Sequence, residues 1–192
     1  MASSGSWCKP ENKGVKLLNR PVLITFLLTG VVLNFACTDL PRDPKGTLRQ
    51  LQSRPMRVGL VENSPWVVRS TEQPAGVEVD LIRNFASQIG TTVEWRPGGE
   101  QEQLEALEHY QLDVVIGGFT DSTPWRKYVG LTSPYFEQTD GVPAYSQPQK
   151  HVIAVPPGEN ALVKRLDEFL FTKRSEISNL LQQEASRNEI SR

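Results

Sequence analysis

At 192 residues, 38% hydrophobic and 22% charged, the chain has the size and composition of one globular domain with appendages. Its 21 basic and 22 acidic side chains leave a net charge of −1, which gives no electrostatic reason to expect nucleic-acid binding.

The N-terminus is biased. The first 36 residues hold four basic side chains, Lys9, Lys13, Lys16 and Arg20, and one acidic one, leaving 17 basic against 21 acidic in the rest. An uncharged stretch, residues 21–36 (PVLITFLLTGVVLNFA), precedes Cys37. A basic region, an apolar run of this length and a small residue before a cleavage point describe a secretory signal. The run is shorter than the ~20 apolar residues that span a bilayer. L-N-F-A-C resembles a bacterial lipoprotein signal, with Ala36 in keeping and Asn34 where a leucine-like residue is usual. The expectation is a signal peptide over residues 1–37 with lipid on Cys37 and a periplasmic, membrane-tethered product. An uncleaved anchor and cleavage to a soluble form are the alternatives. The long basic region also fits translation starting near Val15. Cys8 lies in the segment expected to be removed, so no disulfide or metal framework remains. His109 and His151 read as solvated or packed, and no cofactor motif is present.

Residues 38–55 (TDLPRDPKGTLRQLQSRP) are polar and proline-bearing, which predicts a tether. Residues 56–61 (MRVGLV) read as a strand, and residues 64–70 with TEQPAG as a short extended piece and turn. Leu81, Ile82, Phe85, Ala86 and Ile89 recur at helical spacing over residues 79–89, and Gly90 is a natural stop. A second strand is expected at 91–96 (TTVEWR) and a second helix around Leu104 and Leu107. The continuous apolar run 112–116 reads as a strand covered on both faces. This β-α-β-α-β order predicts a mainly parallel sheet flanked by helices. Extended pieces follow at 142–145 and 151–155, then a helix with Leu162, Leu166, Phe169 and Leu170 on one face. The division expected is a lobe over 56–172 and a polar helical tail over 173–192.

Ligands of open parallel sheets collect at the carboxyl ends of the strands, and Gly117-Gly118 closes the third strand at such an end. Glycine lets a backbone approach a ligand closely. Thr120, Asp121, Ser122 and Thr123 follow; their hydroxyls can donate to an anion or cap the next turn. Thr123-Pro124-Trp125 reads as a helix start, with Arg126 one short turn inside. A guanidinium there could take a carboxylate bidentately, or be an ordinary surface charge. Trp66, just after the first strand, could stack over a ligand or pack in the core.

Five segments, RVGLVENSPW, GVEVDLIRNFASQIG, ALEHYQLDVVIGG, TPWRKYVGLTSPYF and HVIAVPPGENALVKRLDEFL, resemble in that order the family 3 solute-binding proteins. These are extracytoplasmic amino-acid-binding components of ABC importers. The resemblance covers about residues 55–170 and implies a periplasmic-binding-protein-like lobe. It implies that Arg126 grips a ligand α-carboxylate, that Gly118 and Thr120 complete the grip, and that Trp66 covers the ligand. One extra residue between Gly118 and Arg126 leaves Thr120 or Asp121 at the hydroxyl position, where Asp121 would repel a carboxylate. Asn63 stands where a stacking aromatic is common.

The largest departure is a missing second lobe. Only SQPQK separates SPYFEQTDGVPAY from HVIAV, so the two flanking extended pieces should fold back as a ribbon. The resulting expectation is a lipid-anchored, non-enzymatic binding module for an amino acid or similar small carboxylate. Its partners would be an ABC permease, a sensor or a second copy. The alternative is a scaffold that keeps the lobe and has lost its ligand. Glu62, Glu78 and Asp80 are the acids near the expected cleft, and no nucleophile–base pair is legible among them.

Overall fold

The computed structural model describes residues 43–68, 73–138 and 148–190, with side chains as far as 181. The expected signal segment, Cys37 and the extended piece at 142–145 lie outside the described residues. Among those described, no helix is long and apolar enough to cross a membrane.

The elements follow in order as α1 (Thr47–Gln50), β1 (Met56–Leu60), α2 (Val77–Ile89), β2 (Val93–Pro97), α3 (Glu100–Glu108) and β3 (Val114–Ile116). A 3-10 turn (Pro124–Lys127) leads to β4 (Gly130–Leu131), β5 (Phe136–Gln138), β6 (Gln149–His151), β7 (Ala154–Val155) and α4 (Asn160–Ile190). Together they make a single α/β lobe. The sheet order is β2-β1-β3-β7-β4. β1 pairs in parallel with β2 and β3, as two β-α-β units require, and β7 and β4 extend the sheet antiparallel.

The pleat of β3 explains why it reads as a continuous apolar run. Val114 and Ile116 join Met56, Val58 and Leu60 in a core under α2 and α4, while Val115 faces Leu104 and Leu107 of α3. Alternate side chains leave opposite faces of a strand, so a strand covered twice needs no polar position. On α2 the expected stripe of Leu81, Ile82, Phe85 and Ala86 is buried, and Gly90 ends the helix with φ of 77°.

A ribbon pairs β5 with β6, with Phe136 opposite His151 and Gln138 opposite Gln149, while the expected stem at 142–145 lies outside the described residues. Two expectations need correction. The tail is not separate from the lobe at residue 172. α4 runs on without a break, and Ile177 is 0% exposed in the same core as Phe169 and Leu170.

Nor are residues 43–55 a free tether. Leu51 is buried, and α1 exchanges helix caps with α4. Glu159 accepts the Lys45 and Thr47 amides at 2.7 and 2.6 Å, while Asp43 accepts the Ala161 amide at 2.6 Å. Each acid thus satisfies orphan N–H groups at the start of the other's helix. Glu159→Ala is expected to cost about 2 kcal/mol by urea unfolding, because two amides lose a buried acceptor. Glu159→Gln should recover part of that loss, and an unchanged unfolding midpoint for Glu159→Ala would refute the exchange.

Candidate functional site

The carboxyl ends of β1 and β3 bring two loops together, one running from Val61 to Trp66 and the other from Gly117 to Thr123. The first is tied to α2, because the Val77 and Glu78 amides donate to the Pro65 and Trp66 carbonyls at 3.1 Å each. It is tied to the second loop by Asn63, whose side-chain amide donates to the Gly117 carbonyl at 2.9 Å. Asn63, which replaces the expected aromatic, therefore braces the glycine corner.

The two glycine amides have a partner that the sequence did not reveal. Gly117 and Gly118 both donate to Oε2 of Glu78 at 2.8 Å, and the Tyr135 hydroxyl donates to Oε1 at 2.6 Å. Glu78 lies in the first turn of α2 and is 0% exposed. Burial pushes its carboxyl above the ordinary value; the Tyr135 hydroxyl and the two amides pull the other way without cancelling it. The Tyr135 hydroxyl is pushed well up by its own burial and by the neighbouring Glu78 charge. The expectation that the Gly118 amide faces a ligand is thus corrected, since its donor is already taken inside the protein.

Trp66 is 5% exposed. Its ring sits 4.0 Å from that of His151 between centroids, 5.8 Å from Phe136 and 6.1 Å from Tyr135. It also lies against Gly118, where an added Cβ would fall 2.3 Å from the indole Cδ1. Of its two readings, core packing describes these surroundings, and the indole lies against Gly118, one of the two residues whose amides donate to Glu78. His151 belongs to the same aromatic cluster, whereas His109 is exposed on its own helix end.

The remaining candidates follow along the second loop. Thr120 is half-buried and bridged to His151 through the backbone, and its hydroxyl lies 2.8 Å from that of Ser122. Asp121 is half-buried and donates its amide to the Lys150 carbonyl. Thr123 caps the next turn by accepting the Trp125 amide at 3.4 Å, with Pro124 in first position as the sequence predicts. The turn is 3-10 and only four residues long. Arg126 is exposed on it, and its guanidinium has no hydrogen-bond or ion-pair partner among the described residues. The structure therefore gathers buried Trp66, Glu78 and Tyr135 with half-buried Gly118, and exposed Asn63 braces the cluster from its rim. Thr120, Asp121 and Arg126 stand outside it. Asn63 and Tyr135 carry no sequence pattern that marks them. Glu78 is marked in the sequence only as one of three acids near the expected cleft, with nothing to show which donors it meets.

Residues 56–183 match the family model for bacterial extracellular solute-binding proteins, family 3. The chain belongs to this family. Among curated relatives, this solute-binding lobe is 31% identical over 111 residues to a membrane-bound lytic murein transglycosylase F of Vibrio campbellii. It is 32% identical over 80 residues to one of Alteromonas mediterranea. The first match covers 57% of this chain and 21% of the relative, the second 41% and 17%, so the lobe spans about a fifth of their length. Among solved structures, the arginine-bound form of domain 1 from TmArgBP is 26% identical with a TM-score of 0.50, over 60% of this chain and 90% of that one. An ancestral cationic amino acid solute-binding protein gives a TM-score of 0.61 at 15% identity, over 71% of this chain and 98% of that one, a likeness of fold alone.

Proposed function

We propose that this lobe is an extracytoplasmic binding module for an amino acid or similar small carboxylate, held to the periplasmic face of a membrane by lipid on Cys37. It binds and does not catalyse, and it serves a transporter or a sensor. The observation that carries the reading is the exposed guanidinium of Arg126, without a partner among the described residues, one turn beyond the strand-end loop of a family 3 lobe. Thr120 and Ser122, on the loop that leads into its turn, supply hydroxyls, and Asp121 between them is the acid that a ligand ammonium would meet. The arginine-bound domain 1 of TmArgBP supports the idea that a first domain by itself can hold a ligand.

Calorimetry of the full chain against amino acids and small dicarboxylates tests the reading. Arg126→Ala should weaken binding about tenfold or more, the loss of one charge-assisted pair. Its stability should stay within about 0.5 kcal/mol of wild type, as for a surface side chain without partners. Equal binding by wild type and variant for every ligand would remove the basis of the claim.

One observation favours a second reading, a scaffold without a ligand: the strand-end amides and Trp66 are engaged internally. In that case a protein partner would be captured equally by wild type and Arg126→Ala.

A further inference from the structure

Two successive backbone N–H groups at the end of β3 converge on one oxygen, each at 2.8 Å, and a phenolic O–H reaches the other oxygen at 2.6 Å. Convergent successive amides make an anion-binding concavity, and a buried anion persists only where donors surround it. The Gly117 and Gly118 amides and the Tyr135 hydroxyl are neutral donors, and the Glu78 carboxylate they hold is wholly buried. This is the geometry of a carboxylate receptor, built from backbone and one hydroxyl, and it is full.

We propose that the amides of Gly117 and Gly118, with the Tyr135 hydroxyl, form an anion receptor whose resident anion is the side chain of Glu78. Glu78 is then the residue that decides where an external carboxylate can bind. It withdraws the strand-end amides and leaves Arg126 and the Thr120 and Ser122 hydroxyls as the grip. The occupied receptor stands on the geometry alone, whereas the placement of the ligand rests on the solute-binding reading above.

The surroundings are consistent with a permanent occupant. Gly118 adopts φ of +67°, a left-handed conformation that turns its amide inward, and the Trp66 indole closes over it. Asn63 holds the Gly117 carbonyl from the other side. Tyr135 directly precedes β5, so the same carboxylate ties the glycine corner to the root of the ribbon. Glu78 thus acts as a positioning residue for the loop that carries Thr120.

The test is chemical rescue in the full chain. Glu78→Ala leaves three donors around an empty space of carboxylate size, and formate is the smallest carboxylate that could refill it. Formate should raise the Tm of Glu78→Ala by about 3 °C or more, while chloride at equal ionic strength should not. Wild type and Glu78→Gln should not respond, since the glutamine carbonyl can still accept both amides. If Glu78→Ala does not fold unaided, the same titration is read as recovery of tryptophan fluorescence after dilution from urea. Formate that acts equally on wild type and Glu78→Ala, or on neither, overturns the receptor.

The amino-acid arm separates the two claims. Rescue by formate with no Arg126-dependent amino-acid binding sinks the solute reading and keeps the receptor. Arg126-dependent binding without rescue does the reverse.

Discussion

Replacing Gly118 with alanine is expected to destabilise the lobe by about 2–5 kcal/mol, combining a left-handed backbone penalty with overpacking. The added Cβ would lie 2.3 Å from Cδ1 and 2.6 Å from Cγ of Trp66, and 2.7 Å from Nδ2 of Asn63. Trp66, the nearest of them, cannot easily withdraw. Trp66 is enclosed by Tyr135, Phe136 and His151, and Asn63 is held by the Gly117 carbonyl. The backbone conformation, φ of +67°, is itself one that a side chain resists. Relief by moving the loop would pull the Gly118 amide from Glu78, leaving a buried carboxylate short of a donor. Urea unfolding followed by circular dichroism gives the free energy directly. A variant within about 1 kcal/mol of wild type would mean that the indole and the glycine do not meet as described.

Asp113→Asn is expected to cost about 2–4 kcal/mol near neutral pH. Asp113 is 1% exposed at its side chain and receives five hydrogen bonds. Arg54 reaches it at 2.6 and 2.9 Å, Arg57 at 3.2 and 2.8 Å through its side chain, and the Arg57 amide at 2.9 Å. These bonds fasten the entry of β3 to β1 and to the segment after α1. An asparagine would aim an NH₂ donor at a ring of donors. The cost stays below that of a sealed ion pair because both arginine side chains remain about a quarter exposed and can rehydrate.

The pH dependence carries a definite sign. Burial pushes the Asp113 carboxyl up, but hydrogen bonds from Arg54 and Arg57 outweigh it and hold the group below the usual carboxylate range. The native state therefore binds fewer protons here than the unfolded state. The stability from Asp113 is present above the unfolded value of about 3.9 and is lost as pH falls through the native value. Glu78 works in the opposite sense: its native value is raised, so its contribution is fullest below about 4.3 and is lost as pH rises through the native value. The gap between wild type and Asp113→Asn should accordingly narrow on going from neutrality to about pH 3, seen in urea midpoints at both. A gap independent of pH would count against an ionised Asp113 in the native lobe.

Much of the fold was legible because its signals are local. The stripe on α2, the apolar run of β3, the Thr123 cap and the Gly90 stop each follow from spacing within one element. The candidate site was less legible. Arg126 could be placed on a short turn after the strand-end glycines, which is where it lies, but no local pattern says whom those glycines address. The polar composition of residues 38–55 suggested solvent, and it hid both Leu51 and the caps exchanged between α1 and α4.

By itself the sequence determined the β-α-β-α-β order of the first three strands and two helices, the parallel core and the family, since each rests on short-range periodicity or on segments in series. Only the tertiary structure decided that Glu78 fills the amides of Gly117 and Gly118, 39 and 40 residues away, and that Glu159 caps a helix 112 residues earlier. A buried donor must find an acceptor, yet chain spacing carries no trace of which one, because the pairing is set by how the sheet and helices pack.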